Sequence, residues 1–155
     1  MADADDQHSI LEAEYRFRFK NGGCYALAAA LHEQTGLAIG SVIVDWRLER
    51  HDPSVIRRSV AHAYVLRDDG RAVDIDGESA LDDLLKRVCS GAGKVILNVD
   101  AQSFGSIAEF KDCLVRNYSD DFYVWAMSEI DDARKAIDFL GLLDVAQMGP
   151  TASMK

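Results

Sequence analysis

Apolar residues recur at helical spacing in several stretches of the chain. The clearest helix is predicted over 24–34, where they follow the i, i+3, i+4, i+7 pattern and Gly36 is placed to end it. The same spacing predicts helices over 81–88 and 107–114. A last helix is predicted after Ser128, whose side chain is expected to cap its N-terminus.

Segments rich in β-branched and aromatic residues predict the strands. Two of them, 60–66 and 71–75, are separated by Asp68-Asp69-Gly70, a strong hairpin signal. With a three-residue loop and Gly70 in the left-handed conformation, Leu66 faces Ala72 across the hairpin. The other predicted strands are 16–20 (an edge strand), 38–48, 95–99 and 121–127.

The order of these elements favours an α+β fold with a largely antiparallel sheet. A helix is followed by a run of strands and then by mixed elements, without the strict alternation that a parallel doubly wound sheet requires. The 155 residues suit one domain. We expect that domain to span 10–145, with flexible tails at 1–9 and 146–155.

Composition narrows the classes of function. A net charge of −9 argues against nucleic-acid binding, and no apolar run is long enough to span a bilayer. The acidic start, Met1 to Asp6, lacks the features of a secretory signal, so a cytoplasmic location is expected. The nucleotide-binding signatures GxxxxGKS/T and GxGxxG are absent.

The three cysteines are widely spaced and include no CxxC pair. They therefore suggest neither a disulfide framework nor a structural zinc site, and no metal or other cofactor is expected. Cys89 and Cys113 lie late in or inside predicted helices, without a glycine turn before them. We expect both to be structural.

Cys24 is the candidate nucleophile, because the first turn of a helix offers unpaired N–H groups and the positive end of the dipole to a thiolate. Gly22 and Gly23 leave room for a substrate to approach the sulfur. The Cys24 N–H is the first candidate oxyanion donor, and the second is Asn21 or a nearby backbone amide. The alternative is that Cys24 is a small buried side chain on an apolar stripe.

The predicted hairpin places an imidazole and two carboxylates on one side. The side chains that share this face are His62, Tyr64, Asp74 and Asp76, and those on the apolar face are Ala63, Val65, Val73 and Ile75. Asp74 is diagonal to His62 and Asp76 directly opposite, so either carboxylate is predicted to accept the Nδ1–H of His62. The alternative is a surface histidine beside solvated aspartates.

Three segments in order carry a resemblance to a known family: Gly22-Gly23-Cys24-Tyr25-Ala26-Leu27-Ala28, His62-Ala-Tyr-Val, and Gly70-Arg-Ala-Val-Asp74-Ile-Asp-Gly77. They resemble the Cys, His, Asp order of transglutaminase-like cysteine proteins in the papain-like superfamily. More narrowly, they are similar to small bacterial and phage proteins with a GxCxxLAxAL helix and an HxxV…DGxxxDxxG hairpin.

The resemblance covers roughly residues 15–90. It implies a catalytic helix packed on the antiparallel sheet, further helices at the C-terminus, and a triad of Cys24, His62 and Asp74. Asp74 is favoured over Asp76 because it has the DxxG spacing. The residues expected in the oxyanion or substrate-binding part of the site are Asn21, Gly22, Gly23, Tyr25, Tyr64 and Asp76.

The leading functional prediction is cysteine-dependent acyl transfer at an amide through a thioester, by a protease, deamidase or transglutaminase. A protein or peptide is the expected substrate, with no nucleic-acid or membrane partner. The alternative is a non-enzymatic binding module that holds a protein partner in the same groove. A metal-dependent hydrolase using His62, Asp74 and Asp76 ranks last, because no second histidine is clearly placed.

Overall fold

The structure is a computed structural model that describes residues 4–20, 22–89, 91 and 93–147. A five-stranded antiparallel sheet lies at its centre, in the order β4-β3-β2-β1-β5. The strands are β1 (Ile39–Leu48), β2 (Arg57–Leu66), β3 (Ala72–Asp74), β4 (Gly77–Ser79) and β5 (Lys94–Phe104). Four of them confirm predicted strands, whereas β4 was not predicted.

Seven helices surround the sheet in the described part of the chain, which confirms the α+β class. They are α1 (Ala4–Lys20), α2 (Cys24–Thr35), α3 (Leu81–Val88), α4 (Ile107–Asn117), α5 (Asp120–Met127), α6 (Ile130–Leu140) and α7 (Leu142–Gln147). The predicted helix over 24–34 is α2, and Gly36 ends it in the left-handed conformation, as expected.

Helices pack on both faces of the sheet. On one face, Val65 and Val73 lie in a core with Leu27 and Leu31 of α2 and with Ile137 of α6. The opposite face carries Val42, Tyr64 and Ala72, which pack against Leu84 of α3. The sheet therefore separates α2 from α3, whereas the hairpin pattern predicted a core on its apolar face alone.

The N-terminal segment is helical, so the prediction of an edge strand at 16–20 is wrong. The alternation of Arg and Phe suggested a strand, but Tyr15 and Phe19 lie four residues apart, one helical turn. Phe19 is fully buried in the core, and its ring lies 6.2 Å from that of Tyr15. Residues 4–9 of the predicted N-terminal tail also lie in α1, and residues 146–147 lie in α7.

The prediction of a strand at 121–127 is also wrong, because that segment is α5. The Ser119 hydroxyl caps the helix by accepting from the Phe122 N–H at 3.0 Å, and Asp120 and Asp121 lie in its first turn. These features outweigh the strand preference of the aromatic residues. Ser128 ends α5 rather than capping α6, since its hydroxyl donates to the Trp125 carbonyl at 2.6 Å.

The register of the β2–β3 hairpin confirms the predicted loop. Leu66 pairs with Ala72, Val65 pairs with Val73, and Gly70 has φ 84°. A β-bulge interrupts the β1–β2 pairing immediately before His62, because Val42 pairs with His62 and the next β1 residue pairs with Val60. Within the described ranges, no helix combines the length and apolar character needed to cross a membrane.

Candidate active site

The turn before α2 places Cys24 at the helix start. The Gly23 N–H donates to the Arg18 carbonyl at 3.1 Å, and a Cβ on Gly23 would lie 2.8 Å from that oxygen and 2.7 Å from the Phe19 ring. Only glycine fits this close approach. The N-cap residue of α2, Gly23, has no side chain to cap the helix, and the N–H groups at its first positions, including that of Cys24, have no acceptor within the helix.

The structure brings together the three residues of the predicted triad. His62 Nε2 lies 2.9 Å from Asp74 Oδ2, and Cys24 lies close enough to His62 to raise the pKa of the imidazole. All three side chains are nearly closed off from solvent, with exposed fractions of 4% for Cys24, 7% for His62 and 5% for Asp74. A cysteine, a histidine and a carboxylate are thus buried close together, and the histidine and the carboxylate are hydrogen-bonded.

The Asp74 carboxylate does not contact the ring nitrogen of His62 that was predicted. Asp74 was expected at Nδ1 of His62, but it contacts Nε2. Diagonal neighbours across an antiparallel pair are about 7–8 Å apart. Because Nε2 lies farther from the backbone than Nδ1, it is the His62 nitrogen that reaches the Asp74 carboxylate. This contact leaves Nδ1 as the nitrogen available to the Cys24 thiol.

Helix α2 and the imidazole lie on opposite faces of the sheet, yet Cys24 contacts His62. The pairing of β3 explains how. Strand β3 pairs with β2 only at Val65 and Leu66, so β2 has no strand neighbour beside His62 on that side. The first residue of α2 reaches the imidazole at this open edge of β2.

The two charged partners shift each other's pKa in opposite directions. Burial by itself would lower the pKa of His62, but its hydrogen bonds to Asp74 and Cys24 and their negative charge raise it to about 9. Burial by itself would raise the pKa of Asp74, but its hydrogen bond to His62 and the imidazolium charge lower it. At neutral pH the pair is therefore an imidazolium and a carboxylate.

Asp76, the other candidate acceptor, does not contact His62 through its carboxylate. Its backbone N–H donates to Asp74 Oδ1 at 2.9 Å and helps to fix the orientation of that carboxylate. The Asp76 carboxylate lies instead among three cationic side chains, those of Arg16, Lys20 and Arg87.

Tyr25 packs beside the site rather than opening into it. It is 8% exposed, and its hydroxyl donates to the Val60 carbonyl at 2.5 Å. Tyr118 contacts the same residue, since its hydroxyl accepts from the Val60 N–H at 2.8 Å. Both tyrosines hold the start of the bulged segment that leads to His62. Asn21, the candidate second oxyanion donor, lies outside the described residues.

Tyr64 is buried beside the imidazole. Its ring is 6.3 Å from that of His62 at an interplanar angle of 28°, and a Cβ on Gly40 would lie 2.1 Å from the Tyr64 ring. Gly40 therefore provides the space that Tyr64 occupies. The Tyr64 hydroxyl has no hydrogen-bond partner among the described residues, and burial raises its pKa to about 12.

The two buried tyrosines are expected to respond differently to loss of the hydroxyl. Tyr64→Phe removes an unpaired buried polar group and should leave the free energy of unfolding unchanged or raise it by up to about 1 kcal/mol. Tyr25→Phe removes the shorter of two hydroxyl donors to the Val60 carbonyl, the other being Tyr118 at 3.5 Å, and should lower the free energy of unfolding by about 1–2 kcal/mol. Urea denaturation of the matched pair checks both signs, and a large loss in Tyr64→Phe would show that its hydroxyl has a partner in solution.

Two clefts of about 340 Å³ each adjoin the triad. The triad cleft is lined by His62 and Asp74 together with Lys20, Leu84 and Arg87. The Trp46 cleft is lined by Trp46, Cys89, Lys94 and Tyr118. The two share Ala61 and Val88 as lining residues, so they adjoin along the bulge in β2.

Several residues of this site were not identified from the sequence. Lys20 and Arg87 line the triad cleft, and Tyr118 holds Val60, but none of the three stands in a recognisable motif. Gly40 carried a weak signal, because glycine inside a strand often marks a close approach.

In the part of the chain that the structure describes, no group of three or more His, Cys, Asp or Glu side chains is arranged to hold a metal ion. Comparison with protein-family models, with curated proteins and with solved structures found no match to this chain. The function therefore has to be argued from the site itself.

Proposed function

We propose that this protein is a cysteine enzyme of the papain and transglutaminase-like kind that transfers an acyl group from an amide. The observation that carries the proposal is the burial of Cys24, at the start of α2, close to a His62 ring that is hydrogen-bonded to Asp74. A nucleophile, a base and a group that orients the base are the three parts that covalent catalysis by cysteine requires.

In the proposed reaction, the attacking group is the Cys24 thiolate, whose proton is held on His62 Nδ1, and the sulfur attacks the amide carbonyl carbon. The oxyanion that forms is placed near the unpaired N–H groups at the start of α2. When the C–N bond breaks, the imidazolium returns the proton to the departing amine, leaving a thioester on Cys24. Water or a second amine then gives its proton to His62 and attacks the thioester carbonyl carbon. The C–S bond breaks, the acid or the new amide leaves, and the Cys24 thiolate is restored beside the imidazolium.

Asp74 has two roles in this scheme. Its hydrogen bond to Nε2 fixes the ring so that Nδ1 faces the thiol, and its charge stabilises the imidazolium. The raised pKa of His62 means that the imidazolium is the main form at neutral pH. An imidazolium in contact with a cysteine is the partner that a thiolate nucleophile needs.

A binding module on the same fold is the second candidate. The observation that favours it is the 4% exposure of Cys24, which restricts the access of a substrate carbonyl to the sulfur. In that case, the triad cleft would hold a protein partner without chemistry.

Acyl transfer to Cys24 can be tested without knowing the natural substrate. Incubation with p-nitrophenyl acetate is expected to release nitrophenolate in a burst and to place an acetyl thioester on Cys24, located by peptide mass spectrometry and removed by hydroxylamine. Brief treatment with iodoacetamide should modify Cys24 before Cys89 and Cys113, because burial raises the pKa of both of those thiols.

Equal modification of the three cysteines, or a Cys24 that reacts only after denaturation, would favour the binding module. If the thioester forms, three assays on glutamine-containing peptides and casein distinguish the reaction types. Ammonia release without added amine indicates deamidation, incorporation of a fluorescent primary amine indicates transamidation, and new peptide N-termini indicate proteolysis.

A further inference from the structure

The charge of the two clefts is opposite to that of the protein. The chain has a net charge of −9, yet its cleft-lining charged residues are mostly cationic. These residues are the cationic Lys20, His62, Arg87 and Lys94 and the anionic Asp74 and Asp76. An anionic ligand is therefore favoured in this place and disfavoured over most of the surface.

Both carboxylates of the triad cleft are already balanced. Asp74 is paired with His62 at 2.9 Å. Asp76 lies 3.1 Å from Lys20 Nζ, 3.5 Å from an Arg16 nitrogen and 3.6 Å from an Arg87 nitrogen. Arg16 is also paired with Glu12 at 3.0 Å, so two carboxylates face the three cations and positive charge remains at this end of the cleft.

The cations are held in place rather than free to move away. The Arg87 guanidinium also donates to the Ser79 hydroxyl at 3.0 Å, and that fixes its position beside the cleft. Lys20 is the last residue of α1, four positions before Cys24. A small ligand in the cleft is thus close to both cations and to His62.

We infer that the triad cleft selects amides that carry a carboxylate close to the scissile bond, with Arg87 and Lys20 binding that carboxylate. The inference rests on the proposed function and names its substrate class. An acidic side chain or a free C-terminal carboxylate beside the amide would both provide this group. Arginine is suited to it because its planar fork of N–H donors matches the two carboxylate oxygens.

The inference can be tested with two small reagents that differ in charge. Iodoacetate and iodoacetamide both alkylate a thiolate with loss of iodide, so the ratio of their rates at Cys24 reports the electrostatic potential at a sulfur that lies close to His62, a lining residue of the cleft. Arg87→Gln and Lys20→Gln are each expected to lower the iodoacetate-to-iodoacetamide ratio by about three- to tenfold. The His62 charge is common to all variants and does not affect the comparison.

Lys86→Gln is the matched control, because Lys86 precedes Arg87 on α3, is exposed and does not line either cleft. It changes the net charge equally and should leave the ratio within about twofold of the wild-type value, since exposed charges are screened by solvent and salt. Arg87→Lys should retain most of the wild-type ratio. Ratios that fall equally in Lys86→Gln and Arg87→Gln would overturn the inference.

A second measurement uses an amide that resembles the inferred substrate. Glutaramate carries one amide and one carboxylate, whereas glutaramide carries two amides. Glutaramate should protect wild-type Cys24 from iodoacetamide better than glutaramide does, and this preference should be lost in Arg87→Gln.

The two hypotheses fail in distinguishable ways. If Cys24 reacts in the folded protein but neither the rate ratio nor the protection depends on Arg87 or Lys20, only the carboxylate preference is overturned. If neither reagent modifies Cys24 in the folded protein, the proposed acyl transfer is overturned as well.

Discussion

Replacing Cys24 with alanine is expected to lower acyl transfer by about 10⁴-fold or more, to the background rate, because no other group in the site can form the thioester. His62→Gln should cost about as much, and the double variant no more than either single one, since the residues of a triad act as a unit. Asp74→Asn should cost less, about 10²- to 10³-fold, because the imidazole keeps its place but loses the charge that stabilises its protonated form.

Stability measurements separate lost chemistry from lost structure. Cys24→Ala deletes one buried sulfur and should lower the free energy of unfolding by only about 1 kcal/mol. Cys113→Ala is the matched control: it deletes a sulfur that is 1% exposed and far from the imidazole in the chain, and should leave acyl transfer unchanged. Burst kinetics with p-nitrophenyl acetate and urea denaturation provide the two readouts.

One pattern of results would replace the enzyme with the binding module. In that pattern, the biological effect of the protein persists in Cys24→Ala, His62→Gln and Asp74→Asn and is destroyed by Gly23→Val. A side chain at Gly23 collides with the Arg18 carbonyl and moves the start of α2 whatever the chemistry of the site. The cleft would then act as a recognition surface.

Deprotonation of His62 should lower the free energy of unfolding by on the order of 3 kcal/mol as the pH rises from about 6.5 to above 9. The pKa of His62 is about 9 in the folded protein against about 6.5 in the unfolded chain, so the folded state holds the proton more tightly. This contribution is complete below pH 6.5 and is lost as the pH passes the folded value.

Protonation of Asp74 sets the lower pH limit of this stabilisation by the ion pair. Its pKa is lowered in the folded protein, so its stabilising effect is present above about pH 4, the ordinary range of an unfolded aspartate, and is lost as the pH falls further. The ion pair should therefore contribute most between about pH 4 and pH 6.5.

The measurement is the difference in unfolding free energy between wild type and His62→Gln across pH 5 to 10. Titration of the His62 ring by NMR checks the pKa directly. It should be lower in Cys24→Ala and in Asp74→Asn, because each variant removes a group that raises it. A difference in stability that stays constant from pH 6.5 to 9 would show that the imidazole is not held as a charged partner.

Local patterns were enough to single out Cys24, His62 and Asp74 and to predict the hairpin. The apolar spacing after Gly23 gave α2, and Asp68-Asp69-Gly70 gave the register that puts His62 and Asp74 on one face. Both depend on contacts between residues close in the chain, so the sequence carries them directly. The same local reasoning failed at 16–20 and in α5, where aromatic residues favoured strands and the burial of Phe19 and the Ser119 cap favoured helices.

Tertiary structure decided the parts of the site that join distant segments. No local pattern shows that β3 pairs with β2 only briefly, yet this short pairing opens the edge where Cys24 meets His62. The choice of Nε2 for Asp74 and the placement of Lys20 and Arg87 around Asp76 likewise depend on how α1, α3 and the sheet pack. Residue types and spacing determine which groups can react. Long-range packing determines which atoms meet, because burial of the two cores, and not any one segment, sets the path of the chain between these segments.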